Sequence, residues 1–215
     1  MPAALLLSSA ASAQSQNHLK WTEINPTAWN SNDLHLILNR SAWVREVKLE
    51  SDRSAAGMVK GAKADEGLLT NFNVVVRWES AAPIRLARDR SASPDKNAAR
   101  YDLSITGLPL ELAAALLGDT NSAAGGDKNR IRAYIADQTA HSASLMRPGH
   151  GPIAATQAIW TDGEFTSRLT ISFPTPAQPI EAADRTVTLK THVGVLMVTA
   201  EFALKAMVYH GRLAL

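Results

Sequence analysis

The stretch 154–215 most limits what this chain can fold into. Residues 154–160 and 165–173 are two apolar, β-prone runs joined across Asp162-Gly163. An Asp-Gly pair tolerates the positive φ angles of a tight turn, so the two runs predict an antiparallel hairpin. Beyond Pro174, Pro176 and Pro179 lie residues 186–191 and 193–215, where Leu196, Val198, Phe202 and Leu204 largely keep a two-residue period. That period places alternate side chains on opposite faces of a strand, and Gly194 and Gly211 are natural breaks. The region predicts a β-meander or the closing half of a sandwich.

Upstream, the same logic gives more strands. Trp43, Val47 and Leu49, with Arg45, Glu46, Lys48 and Glu50 between them, suggest a one-sided strand over 43–49. Residues 72–78 hold three consecutive valines flanked by aromatics, and 101–105 alternates apolar with polar. Residues 34–38 are a short apolar run, readable as a covering segment or an early strand. Helices are fewer: 81–90 with Pro83 in its first turn, 109–117 between a proline and Gly118, and an ambiguous 130–146 that starts at helical spacing and could end extended. Polar loops are expected at 51–67, 91–99 and 118–129.

Composition allows a packed domain and removes several functions. Of 215 residues 46% are hydrophobic, enough for a core without covalent staples. There is no cysteine, which excludes disulfides, thiolate catalysis and cysteine-ligated zinc. The 22 basic residues exceed the 20 acidic ones by two and are scattered, and aromatics are 6%. Nucleic acid is therefore not an expected partner, since phosphate contacts need a basic stripe and single strands need stacking platforms. No apolar run reaches the ~18 residues of a membrane helix.

The N-terminus suggests a compartment. Residues 1–13 read MPAALLLSSAASA, with an apolar run over 3–7 and the small-x-small triplet Ala11-Ser12-Ala13 that signal peptidase accepts. The basic front of a signal peptide is missing and the apolar run is short, as in a signal peptide truncated at its start. The expectation is a leader over 1–13 and a single β-rich domain over 14–215, exported to the periplasm or beyond.

Three stretches carry a resemblance: SAWVREV at 41–47, VRWESAAPI at 76–84 and FALKAMVYHGRL at 202–213. In order and position they resemble a family of uncharacterised exported proteins from acidobacteria. The resemblance implies export and a similar architecture, and it brings no activity, cofactor or catalytic residue.

Candidate sites are sparse. There is no G-x-S-x-G turn to present a nucleophilic serine. The histidines at 18, 35, 141, 150, 192 and 210 form no H-x-H or H-x-x-x-H pair. Asp33 and His35 would share a face if 34–38 were a strand, and Asp119, Asn121, Asp127 and Asn129 offer oxygens of the kind calcium takes, without EF-hand spacing. His150, between Gly149 and Gly151, is either a mobile general base or a solvated turn residue. Arg85 and Arg88 would share a helix face, with Arg77 and Arg90 near in sequence, and could hold a carboxylate or phosphate; the alternative is a solvated face paired with Glu79 and Asp89. Trp78 and Trp160, on predicted strands, are either sugar-stacking platforms or core, as is Trp43.

The expectation is a mainly β, antiparallel sandwich-like single domain with one or two short helices, with α+β as the alternative. No catalytic residue, metal or cofactor is assigned. The expected role is a non-enzymatic binding or envelope-assembly protein whose partner is another protein or a small anionic or carbohydrate ligand. The alternative is a small periplasmic hydrolase whose catalytic residues are dispersed. A histidine meeting a serine or carboxylate in a pocket would favour the hydrolase; a Trp-bearing or apolar face would favour binding.

Overall fold

The computed structural model describes residues 21–51, 73–93, 100–108, 128–162, 167–194 and 196–215. In chain order the elements are α1 (Ser31–Arg40), β1 (Val44–Lys48), β2 (Glu50–Ser51), β3 (Asn73–Trp78), α2 (Ala82–Arg88), β4 (Arg100–Thr106) and α3 (Lys128–Ser142). Then follow β5 (Ser144–Met146), β6 (Ile153–Ala154), β7 (Gln157–Asp162), β8 (Ser167–Pro174), β9 (Thr186–Val193), β10 (Leu196–Ala203), β11 (Val208–Tyr209) and β12 (Arg212–Leu213).

The strands form two five-stranded antiparallel sheets, in the orders β1-β3-β4-β8-β7 and β2-β10-β9-β5-β6, plus the hairpin β11–β12. Their inward faces meet in one core, so the protein is a mainly β sandwich. Alternation explains which face is inward. Val74, Val76 and Trp78 of β3, Leu103 and Ile105 of β4, and Leu169, Ile171 and Phe173 of β8 are all fully buried. From the other sheet, Val187, Leu189 and Val193 of β9 and Val198 and Phe202 of β10 are equally buried. Trp78 and Phe202 meet across the gap edge-to-face, ring centroids 5.6 Å apart. Burying indole and phenyl rings in this way supplies the largest apolar areas in the core.

The expected hairpin is present with shifted bounds, since Asp162 ends β7 instead of opening the turn and Ala154 belongs to β6 of the other sheet, and a second hairpin forms within the expected meander. β7 pairs with β8 from Gln157↔Ser172 to Asp162↔Ser167. β9 pairs with β10 through Gly194, whose φ of +62° makes the turn. Between β1 and β2 the buried Leu49 carries the chain from the first sheet to the second.

The stretch 34–38 is a covering segment, in helical form, and not a strand. Asn30 caps α1: its Oδ1 accepts from the amides of Asn32 at 2.8 Å and Asp33 at 3.0 Å, while Asp33 returns a carboxylate oxygen to the Asn30 amide. This reciprocal cap satisfies three amides that the first helical turn leaves without partners. Ile37 is buried and Leu34 and Leu38 pack on the core. Asp33 and His35, two apart on a helix, therefore do not share a face. α2 lies where it is expected, with Pro83 in its first turn, and 130–146 divides into most of α3 and the strand β5. The expected helix at 109–117 and most of the loops at 51–67, 91–99 and 118–129 lie outside the described residues, as does the 1–13 leader.

An aromatic cluster joins the two ends of the described chain. Trp21, Trp29, Trp43 and Tyr209 are all buried, with Trp21 within 6.0 Å of Trp29 and 5.9 Å of Trp43. Trp43 Nε1 donates to the Ala214 carbonyl, tying β11–β12 to the base of β1.

Candidate functional site

Among the described residues a concavity lies where α3 runs beside β7, the last strand of its sheet. It is a groove of about 620 Å³. Ala133, Ala136 and Ala140 recur at helical spacing along one wall, and their short side chains leave the space open. Arg132, Asp137 and His141 come from the same helix. The opposite wall is the chain over 155–160, with Thr156, Gln157, Ile159 and Trp160. His141 Nδ1 is 2.8 Å from the Asp137 carbonyl and 3.6 Å from its carboxylate, which fixes the ring against its own helix. At Ala155, on the groove wall, the backbone amide donates to the Ala143 carbonyl at 3.0 Å. The walls thus offer donors, acceptors and apolar side chains within a space of small-ligand size.

The expected site residues are dispersed. Trp160 contributes to the groove wall, with its Nε1 buried and without a hydrogen-bond partner. Trp78 lies between the sheets with Tyr101 and Phe202 against its ring, the core alternative weighed for it. Arg85 does not share a site with Arg88: its Nε donates to the Ser80 carbonyl at 3.0 Å and its Nη1 to the Ser93 carbonyl at 3.1 Å. Arg88 instead reaches back to the Glu79 carboxylate at 2.9 Å. There it meets Arg77, 3.7 Å from the same carboxylate, which also accepts from Ser104 Oγ.

A second polar centre joins the turn after β5 to the segment before β9. Arg147 and Asp184 form an ion pair of 3.3 Å with side chains only 5% and 8% exposed. Arg147 also donates to the Pro179 and Gln178 carbonyls, at 2.9 and 2.8 Å. His150 Nε2 lies 3.2 Å from the other Asp184 oxygen. His150 is thus a histidine oriented by a buried carboxylate, which nothing in its Gly-His-Gly frame announces. His192, by contrast, meets Ser142 through its backbone: the His192 amide donates to Ser142 Oγ at 3.0 Å.

Among the described residues no three His, Asp or Glu side chains converge as metal ligands, and no helix is long and apolar enough to cross a membrane. Of the oxygen-rich set at 119–129 only Asn129 is described, at the groove rim. No protein-family model, no curated protein and no solved structure matches this chain.

Proposed function

We propose that the chain is an exported, non-enzymatic binding module that takes a short saccharide in the groove between α3 and β7. The make-up of that groove carries the reading. A saccharide presents hydroxyls that both donate and accept, alternating with apolar C–H faces. The groove answers with Arg132, Asp137, Thr156 and Gln157 beside a row of alanines on one wall and the indole of Trp160 on the other. Export draws on the Ala11-Ser12-Ala13 triplet and on the resemblance to exported acidobacterial proteins.

The test is a titration with a panel of neutral and acidic oligosaccharides, followed by tryptophan fluorescence. The chain has five tryptophans, so the Trp160→Phe variant is needed to assign the signal. The wild type is expected to show a saturable emission change that Trp160→Phe loses. Emission unmoved by every member of the panel contradicts the proposal.

The hydrolase alternative draws on one observation, the His150–Asp184 pair. An imidazole held by a buried carboxylate has the orientation a general base needs. His150 lines neither the α3–β7 groove nor the smaller one between β1 and β10. Turnover of chromogenic esters or glycosides that disappears in His150→Ala would carry this alternative, and an inert wild type would remove it.

A further inference from the structure

The outward face of the first sheet holds more positive charge than its partners neutralise. The strand registers bring this about. Val75 of β3 pairs with Thr106 of β4, and Thr106 with Arg168 of β8. Arg77 stands two residues along β3 from Val75, so Arg77 and Arg168 point from the same face, two strands apart. The chain then turns through 79–81 into α2, whose last turn returns Arg88 to Glu79.

Arg77 and Arg88 share the Glu79 carboxylate, and Arg168 lies near enough to both guanidinium groups to repel them, so three positive charges meet one negative charge, an excess of two. Glu79 is shared by Arg77, Arg88 and Ser104. Arg168 has no ion pair among the described residues, and its Nε, like that of Arg77, is buried with no hydrogen-bond partner. Desolvation lowers the pKa values of Arg77 and Arg88 from the usual guanidinium value, Glu79 raises them in part, and Arg168 lowers both again. Guanidinium does not deprotonate in a protein, so the repulsion persists. The neighbouring Asp102 gives no relief, being occupied by Arg100 at 3.0 Å and Ser172 Oγ at 2.6 Å. Solvent reaches the cluster at Arg88, whose side chain is 33% exposed, while Arg77 and Glu79 lie deeper at 11% and 12%.

We infer that Arg77, Arg88 and Arg168 form a binding site for a doubly charged oxyanion, a phosphate or sulfate group. A phosphate monoester carries about −1.5 to −2 charge at neutral pH, and the free sulfate ion about −2, so either matches the excess. Guanidinium forks also present paired N–H donors that fit tetrahedral oxyanions. Arg168 then has a purpose its lack of internal partners otherwise denies it. This site is separate from the saccharide groove and stands whether or not the groove binds sugar.

The experiment is thermal unfolding of the whole chain in sulfate, inorganic phosphate or glycerol phosphate, each against chloride at equal ionic strength. All three oxyanions are expected to raise the melting temperature saturably above the chloride control. Arg168→Gln should weaken that effect by about tenfold or more, because one of three charge-assisted contacts is gone. Without oxyanion the same variant should be at least as stable as the wild type, which shows that the loss is not misfolding. Tighter binding of glycerol phosphate than of free phosphate identifies a phosphorylated molecule as the ligand; the reverse order identifies the free ion. The inference is overturned if the oxyanions shift melting no more than chloride does, or if Arg168→Gln binds them as the wild type does.

Discussion

Tyr209 stands 4% exposed among Trp21, Trp29 and His210, and its hydroxyl is buried without a hydrogen-bond partner. Burial pushes its phenol up to about 12. Ionisation in the unfolded chain near pH ~10 precedes ionisation in the fold, so stability is unaffected below that range and falls as pH rises toward the folded value. Tyr209→Phe should keep or raise stability at neutral pH, by up to about 1 kcal/mol, since it removes an unsatisfied polar group. It should also lose less stability than the wild type in alkali. Denaturant midpoints measured at neutral and alkaline pH check both expectations; a variant clearly weaker at neutral pH would mean that the hydroxyl has a partner. Asp184 is the opposite case, a buried acceptor on which Arg147, His150 and the Glu181 amide converge. Asp184→Ala strands the Arg147 guanidinium and should cost about 3–5 kcal/mol in denaturant unfolding. A loss below about 1 kcal/mol would place the pair with weak surface bridges. Neither residue was legible in the sequence: Tyr209 lies in a short C-terminal hairpin, and Asp184 is 34 positions from His150.

Elements were more legible than residues where the hydrophobic period was clean. β9 and β10 each alternate and their buried faces follow from that alternation; β4 alternates in sequence but also buries Ser104 on its outer face, and β3 was legible from its run of valines, of which Val74 and Val76 face inward. β1 follows the alternation with one exception: Arg45 sits on the inward row, its guanidinium 5.3 Å from the centre of the Phe202 ring and its Nε on the Glu201 carbonyl. The aliphatic stem lets a charged residue occupy such a seam. α1 could not be separated from a strand by period, because Leu34-His35-Leu36-Ile37-Leu38 is nearly continuous apolar sequence. The signal that would have found it is the pair Asn30 and Asp33, an N-cap with an acidic residue three positions on. Asn30→Ala should therefore cost about 1 kcal/mol, read as a lowered denaturant midpoint. An unchanged midpoint would show that packing of Ile37 alone holds the helix.

At the scale of the molecule, hairpin signals and alternation were enough to expect a sandwich, but not which strands share a sheet. The order β1-β3-β4-β8-β7 sets Arg168 on the face of Arg77, 91 positions earlier in the chain. It also leaves β7 at the sheet's end, where α3 comes alongside to form the groove. Both candidate sites depend on these long-range pairings, which one sequence does not encode in any local period. Trp160 was legible as a candidate because an indole on a strand is always either core or platform. Its neighbours Arg132, Asp137 and Gln157 were not, since they come from a helix and a strand edge that only the fold brings together. Saccharide binding in this groove can be read amide by amide. The most direct measurement is the map of backbone amide NMR shifts as the tightest-binding oligosaccharide is added. A saccharide in the groove should give saturable shifts confined to the facing segments 129–141 and 155–160, with the amides around Arg77 and Arg168 unmoved. Shifts centred anywhere else, or none at saturating sugar, would contradict the proposal.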